Sequence, residues 1–343
     1  MKRKDFLSYV LAGGSLLPVL PAMAAHAGKE GDDYKKPVIP PYLKPGDTIG
    51  ITCPAGFIML KEIEPAMEQM KSWGFTIKVG DTVGKRDFTF GGSDADRAAD
   101  FQQMLNDPAV KAIMCARGGY GFVRIVDKLD FAPLVARPKW IIGFSDITVL
   151  HCHLDHNYGI ASIHSKMCNS FPDDWSKAEP IQMETILSIQ KALTRESMKY
   201  TTTPTAFNRT GTAEGILVGG NLKTIETLAG SASDLHTAGK ILFVEDTGEY
   251  LYSIDRMFWN LQRTGKLKDL KALVIGGFKV KVDDPGDEFG KTLYDIVMAQ
   301  VKDYSYPVCF DFPVGHQKNN YALKCGVKHK LTVTVDEVVL KEI

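Results

Sequence analysis

Short apolar runs alternate with amphipathic stretches along the first half of this chain, and this alternation constrains the fold more than any other feature. Residues 48–53, 110–115 and 140–143 are short and apolar, so each predicts a buried strand. Residues 60–73 and 94–105 carry apolar side chains at helical spacing and predict helices. Strands that alternate with helices favour a parallel sheet with helices on both faces.

A second unit with similar alternation follows in the C-terminal half. Its last residues, around a turn at Asp336, predict a β-hairpin. We therefore expect an α/β protein with an N-terminal parallel-sheet domain at 37–172 and a linker at 173–207. A smaller C-terminal domain, mixed α/β or β-rich, is predicted at 208–343.

The N-terminus has the pattern of a signal peptide. Three basic residues at 2–4 precede an apolar stretch at 6–20, and small-x-small sites follow at Ala22-Met23-Ala24 and Ala25-His26-Ala27. We predict that residues 1–27 are a signal peptide and that the mature protein is exported, in the periplasm or beyond, with no membrane segment. The alternative is an uncleaved membrane anchor.

The composition argues against a nucleic-acid partner. Lys plus Arg and Asp plus Glu both number 41, so the formal net charge is zero. A balanced chain lacks the basic field that attracts phosphate backbones.

Six cysteines follow the predicted signal peptide, and the first two lie in apolar, strand-like runs where cysteine acts as a small hydrophobic residue. We expect mostly free, buried thiols, with one disulfide permitted in an exported protein. The cysteines are Cys53, Cys115, Cys152, Cys168, Cys309 and Cys325.

Ser145 follows a predicted strand and opens a predicted helix, in the stretch Gly143-Phe144-Ser145-Asp146. Unpaired backbone N–H groups at a helix N-terminus suit a developing oxyanion, so this serine is a candidate nucleophile. The stretch departs from G-x-S-x-G because position 147 is Ile. An ordinary helix cap is the alternative.

A glycine-rich loop, Arg117-Gly118-Gly119-Tyr120-Gly121, follows the strand at 110–115. Glycines let the backbone approach a ligand closely, so the loop suggests a phosphate site, a second oxyanion donor or simply a tight turn. Like Ser145, it follows a predicted parallel strand, and ligands favour that edge of an α/β sheet.

Three histidines lie on the helix after Ser145, namely His151, His153 and His156. Their spacing does not form H-E-x-x-H, and only Cys152 and His156 are four residues apart. We predict no metal site there.

His316 lies in a glycine-containing loop just after a predicted strand, a common place for a functional side chain. His164 ends an apolar run and is a second histidine that could face a cleft. His236 and His329 lie in polar stretches and are predicted to be at the surface. A loop residue that hydrogen-bonds the backbone is the alternative for His316.

Two carboxylates, Glu245 and Asp246, end the predicted strand at 240–244. Apolar surroundings make such groups costly unless they have partners. Either could orient a histidine base. A helix-capping or salt-bridge role is the alternative for either one, and it is favoured for Asp246.

Taken together, these stretches resemble the LD-carboxypeptidase family, whose members are serine peptidases related to the microcin C self-immunity hydrolases. The resemblance runs from about Pro37 to Val335. It rests on Leu43-Lys44-Pro45-Gly46-Asp47, Arg117-Gly118-Gly119-Tyr120-Gly121, Gly143-Phe144-Ser145-Asp146, Gly219-Gly220-Asn221-Leu222, Glu245-Asp246 and Gly315-His316.

The resemblance implies a catalytic triad of Ser145, Glu245 and His316, with Glu and His supplied by the C-terminal domain. It further implies an oxyanion hole from the backbone N–H of Asp146 and of Gly118 or Gly119. It implies a homodimer and no cofactor or metal. The implied substrate is a murein tetrapeptide, cut between an L-configured centre and a terminal D-amino acid.

One departure bears on the substrate. Family members often carry H-G-P-M after the nucleophile helix, whereas this chain has His164-Ser165-Lys166-Met167. Two other functions are kept open: an amide hydrolase acting on another peptide or an aminoacyl-nucleotide conjugate, and a non-catalytic muropeptide-binding protein.

Overall fold

A computed structural model of the chain describes residues 36–343. The predicted signal peptide therefore lies outside the described residues. The described strands are β1 (Thr48–Thr52), β2 (Thr76–Val79), β3 (Val110–Cys115), β4 (Trp140–Gly143), β5 (Ser162–His164), β6 (Lys199–Thr202), β7 (Gly211–Asn221), β8 (Ile241–Glu249), β9 (Ala272–Val280), β10 (Val308–Cys309), β11 (Leu323–Cys325), β12 (Val327–Val333) and β13 (Val338–Glu342). The α-helices are α1 (Leu60–Ser72), α2 (Asp94–Asn106), α3 (Ala132–Ala136), α4 (Thr148–Tyr158), α5 (Pro180–Leu193), α6 (Leu222–Thr227), α7 (Leu251–Arg263) and α8 (Leu293–Val301).

The predicted α/β fold is confirmed, and its first sheet is mostly parallel. The strand order is β11-β5-β4-β3-β1-β2, and only β11 runs antiparallel to its neighbour. Successive strand residues point to opposite faces: Ala112 packs in one hydrophobic cluster and Ile113 in another. Helices α1 and α5 supply the first cluster and α2 and α4 the second, so helices cover both faces.

Local sequence explains where these helices begin. Ser93 caps α2, since its hydroxyl oxygen accepts a hydrogen bond from the Asp96 N–H at 3.1 Å. In α1, Ile63, Ala66 and Met70 recur at helical spacing and are fully buried. This apolar stripe fixes the helix against the sheet.

The second sheet is mixed, in the order β10-β9-β8-β7-β12-β13-β6. Strands β7 to β10 are parallel, whereas β12, β13 and β6 pair antiparallel, and β12 and β13 form the predicted hairpin. Helices α6, α7 and α8 pack on one face in the same cluster as α4. The two sheets therefore share one continuous core through α4.

The predicted boundaries need two adjustments. Segment 173–207 is more than a linker: α5 packs in the core of the first sheet, and β6 pairs with β13 in the second. Strand β11 belongs by sequence to the C-terminal region but extends the first sheet by pairing with β5. The chain thus crosses between the two sheets more often than a single linker would allow.

The prediction of free, buried cysteines is confirmed for all six. Within residues 36–343, none of the helices has the length and apolar character needed to cross a bilayer.

Candidate active site

Ser145 lies where β4 ends, in a strained backbone conformation. Its φ is 61°, in the left-handed region that residues other than glycine rarely occupy. Every other residue from 141 to 150 is buried, whereas Ser145 is partly exposed. A single turn of 3₁₀-helix, Ser145–Ile147, leads into α4. The sharp turn presents this hydroxyl to solvent at the carboxyl edge of the sheet, as a nucleophile elbow does.

The glycine-rich loop lies directly beside Ser145. A Cβ atom added at Gly118 would lie 3.3 Å from Ser145 Cβ, so the loop backbone and the serine are in contact. Gly119 has φ of 102°, which favours glycine. Within residues 36–343, the amides of Gly118 and Gly119 have no protein acceptor. They are therefore available to a ligand oxygen next to the serine.

The Asp146 side chain holds this loop in place. Its Oδ2 accepts a hydrogen bond of 2.8 Å from the Phe122 N–H, at the end of the loop. Burial raises the pKa of Asp146 to about 6, and hydrogen bonds from Phe122 and Gly121 oppose the rise. The residue after the serine thus links the serine turn to the glycine loop through its side chain.

Glu245 and His316 form a close pair. Strand β8 extends beyond its predicted end to Glu249, so Glu245 lies within it and is fully buried. His316 Nδ1 lies 2.5 Å from Glu245 Oε2. A carboxylate acceptor places the ring proton on Nδ1 and leaves Nε2 unprotonated, as a general base requires.

Gly315 permits this approach. Its φ is 103°, and an added Cβ would lie 2.7 Å from Glu245 Cγ. The backbone of Gly315 is held in place, because its N–H donates a hydrogen bond to Asn320 Oδ1 at 2.7 Å. A side chain at this position would separate the histidine loop from the carboxylate.

The pair lies against the residue that precedes Ser145. The ring centroids of His316 and Phe144 are 4.9 Å apart. His316 comes from the C-terminal region and Phe144 from the end of β4. The structure therefore brings the sequence-predicted residues Ser145, Asp146, Gly118, Gly119, Glu245 and His316 to one place where the two sheets meet.

A second contact fixes the two sheets at this point. The Asn221 N–H donates to Thr148 Oγ1 at 3.0 Å, at the start of α4. Gly220 leaves no room for a Cβ, which would lie 2.5 Å from the same hydroxyl oxygen. The Gly219-Gly220-Asn221 stretch thus connects the start of α4 to the second sheet.

Asp246 has the capping role that was favoured for it. Its Oδ2 accepts from the Lys223 N–H at 2.9 Å in the first turn of α6, and Oδ1 accepts from Asn221 Nδ2 at 2.9 Å. Burial raises its pKa to about 6, and these hydrogen bonds oppose the rise. Asp246 therefore holds Asn221 and the first turn of α6 in place, while its neighbour Glu245 bonds to His316.

For two of the remaining histidines, His164 and His329, the prediction from the sequence is wrong. His164 is fully buried against Phe144 and Phe243, so it does not face an open cleft. His329 is also buried and donates from Nδ1 to the Val327 carbonyl at 2.9 Å, whereas His236 is exposed as predicted. No group of three or more His, Cys, Asp or Glu side chains in the described chain could hold a metal ion.

Comparison with known proteins identifies the family. Two family models match, the LD-carboxypeptidase N-terminal domain over residues 49–165 and the LD-carboxypeptidase C-terminal domain over residues 214–331. A probable murein peptide carboxypeptidase of Bacillus subtilis is 30% identical and covers 88% of this chain and 94% of its own length. The chain belongs to the LD-carboxypeptidase family. Membership supports a serine carboxypeptidase.

Two further relatives show the range of this family. The crystal structure of muramoyltetrapeptide carboxypeptidase from Oxalobacter formigenes is 27% identical, with a TM-score of 0.75 over 86% of this chain and 98% of that chain. The microcin C7 self-immunity protein of Escherichia coli is 26% identical over 85% of this chain and 92% of its own length. One structure of that immunity protein, with glutamyl sulfamoyl guanosine, shares the fold at 24% identity and a TM-score of 0.78, over 90% and 99% of the two chains.

Sequence reasoning missed three residues that support the site. Arg97 is fully buried in α2, and its guanidinium donates to the Pro54 and Gly121 carbonyls at 2.6 and 2.9 Å. His151 donates from Nε2 to the Gly143 carbonyl at 3.0 Å, and burial lowers its pKa to about 4. The third is the Asp146 carboxylate. Arg97 could have been found, since it shares the apolar face of α2 with Phe101 and Met104.

Proposed function

We propose that this chain is an exported serine carboxypeptidase that removes the terminal D-amino acid from murein tetrapeptides. The bond cut lies between an L-configured centre and that D-residue. The observation that carries the proposal is the Glu245–His316 pair beside the strained turn at Ser145, in a member of the LD-carboxypeptidase family. The name of the Bacillus subtilis relative and the Oxalobacter structure support murein peptides as substrates.

In the proposed acylation, Ser145 Oγ attacks the carbonyl carbon of the scissile amide while His316 Nε2 takes the hydroxyl proton. Glu245 holds the imidazole and stabilises the imidazolium that forms. The C–N bond then breaks, and the imidazolium gives its proton to the departing amine of the D-amino acid. Water next attacks the ester carbonyl, with His316 again as base. The ester C–O bond then breaks, the imidazolium returns its proton to Ser145 Oγ, and the tripeptide leaves as its carboxylate.

The oxyanion of both tetrahedral intermediates is assigned to backbone amides. The N–H groups of Gly118 or Gly119 and of Asp146 lie on the two backbone segments that meet at Ser145. Fixed donors stabilise developing charge more than mobile water does, because they need no reorganisation during the reaction. The Asp146 carboxylate supports this arrangement by holding the loop at Phe122.

The proposal is tested by incubating the purified mature chain with murein tetrapeptide and measuring released D-amino acid by mass spectrometry. We expect stoichiometric formation of tripeptide and free terminal D-residue. Aspartyl sulfamoyl adenosine serves as the competing substrate, because a structure of the microcin C7 self-immunity protein holds this ligand. Hydrolysis of the nucleotide conjugate without tetrapeptide cleavage would reassign the substrate. Tight tetrapeptide binding without any cleavage would support a non-catalytic binding protein.

Export is a separate part of the proposal. It is supported by the basic, apolar and small-residue sequence of residues 1–27. We expect the protein recovered from the periplasmic fraction to begin at Ala25 or Gly28, after the two small-x-small sites. N-terminal sequencing tests this, and full-length protein confined to the cytoplasm or held in the membrane would contradict it. The homodimer that the resemblance implies also stays a prediction.

A further inference from the structure

Lys166 lies in the segment His164-Ser165-Lys166-Met167, just after β5. Its side chain is partly buried and reaches the histidine loop: Nζ donates to the Gln317 carbonyl at 2.6 Å. Nζ also lies 5.7 Å from the centroid of the Phe144 ring. The ammonium group is thus next to both segments that carry the proposed serine and histidine.

This ammonium group has no anionic partner in the described chain. Lys166 takes part in no salt bridge within residues 36–343, and the nearby Glu245 carboxylate is already bonded to His316. Burial lowers the pKa of Lys166, and the positive charge of Lys279 lowers it further, while Glu245 opposes both. A partly buried cation without a counter-ion is unfavourable. An anionic ligand at this point would be stabilised.

The position of Lys166 relative to the reaction indicates which anion. His316 donates its proton to the departing amine, so the His316 loop lies on the leaving-group side of the scissile bond. In a carboxypeptidase substrate, the leaving residue carries its α-carboxylate one carbon away from that amine. An ammonium group has three N–H donors, and the Gln317 carbonyl takes one of them.

We propose that Lys166 binds the terminal carboxylate of the substrate and so selects for a free C-terminal residue. The exposed Lys279 adds positive charge at longer range. This inference rests on the proposed carboxypeptidase function and names a specificity residue for it.

The test compares murein tetrapeptide with its C-terminal amide in wild type and Lys166→Met. For the free acid, we expect kcat/KM to fall about 10- to 100-fold, mainly through KM, because a charge-assisted hydrogen bond is lost. For the amide, we expect less than about a threefold change, since no carboxylate is present. Lys166→Arg should recover much of the preference for the acid because it keeps the charge.

Lys318→Met is the matched control. Lys318 lies on the same loop, but it is exposed and paired with Glu179 at 2.7 Å, so its loss should leave the acid-to-amide ratio unchanged. Thermal melting of each variant reports folding, and Lys166→Gln replaces the Met variant if that variant does not fold. If kcat/KM of Lys166→Met fell equally on the acid and the amide, Lys166 would only position the histidine loop. If kcat/KM did not fall on either compound, Lys166 would have no role in binding the substrate. Either result overturns the inference.

Failure of the proposed function is a separate outcome. Wild type that cleaves neither compound would contradict that function. Calorimetry with Ser145→Ala and the tetrapeptide still tests Lys166 in that case. The inference is supported if Ser145→Ala binds the tetrapeptide acid and the Ser145→Ala, Lys166→Met double variant does not. Equal binding by the single and double variants, or no binding by either, would overturn it.

Discussion

Ser145→Ala is expected to lower the rate of tetrapeptide hydrolysis by about 10⁴-fold or more, the loss that removal of a nucleophile causes in serine hydrolases. The physical reason is that alanine has no hydroxyl oxygen with which to attack the carbonyl carbon. Steady-state release of the D-amino acid, followed by mass spectrometry, measures the effect. Binding should persist, because the glycine loop and Lys166 are unchanged.

The alanine variant is also a fair structural control. Alanine retains Cβ, so the backbone at φ of 61° carries similar strain and the fold should melt at nearly the same temperature. A variant that is fully folded and retains more than about a tenth of the wild-type rate would be incompatible with a serine nucleophile at this position.

Gly315→Ala is expected to have the second-largest effect, a loss of about 100-fold or more in kcat/KM. An added methyl group would collide with the Glu245 side chain, and the backbone φ of 103° disfavours any residue other than glycine. The histidine loop would shift away from the carboxylate, and displacements of about 1 Å at a catalytic group cost rates of this order. Hydrolysis kinetics measure the loss.

Gly230→Ala separates the collision from the backbone strain. Gly230 also has a positive φ, of 79°, but a Cβ added there meets no atom within 4 Å. Its alanine variant should lose about 1 kcal/mol of stability, as a left-handed non-glycine residue does, with little change in rate. If the two variants lost activity equally, close packing of Gly315 on Glu245 would not be what positions His316.

The fold was largely predictable because strands that are buried on both faces of a sheet appear in the sequence as short apolar runs. The apolar runs at β1, β3 and β4 each matched a strand, and the Asp336 turn joined β12 to β13. The pairing of strands that lie far apart in the sequence leaves no such local pattern. Nothing local in Leu323–Cys325 indicates that β11 joins the first sheet, because its partner β5 lies far away along the chain.

His329 was predicted at the surface because its neighbours are lysines. The period of two along β12 carries the opposite information, since Val327, His329 and Leu331 alternate with Lys328 and Lys330. Every second residue points inward, and the histidine lies on that face. Alternation is therefore a better guide to burial in a strand than the average polarity of a stretch.

The candidate site was predictable in its residues but not in its supports. Ser145, Glu245 and His316 follow strands or lie within them, and this places them at sheet edges where short motifs stand out. The Asp146 carboxylate and Arg97 act through hydrogen bonds to backbone groups of Phe122 and Gly121. These contacts depend on how two loops pack against each other in three dimensions. No short sequence motif encodes that packing.

Labelling with a serine-directed fluorophosphonate tests the central claim most directly. After digestion of the labelled wild-type protein, mass spectrometry should find one phosphonyl adduct, on the peptide that contains Ser145. His316→Ala should nearly abolish it, because the hydroxyl would lack its base. An adduct on a different serine, or tetrapeptide hydrolysis that continues at full rate with Ser145 unlabelled, would contradict the account.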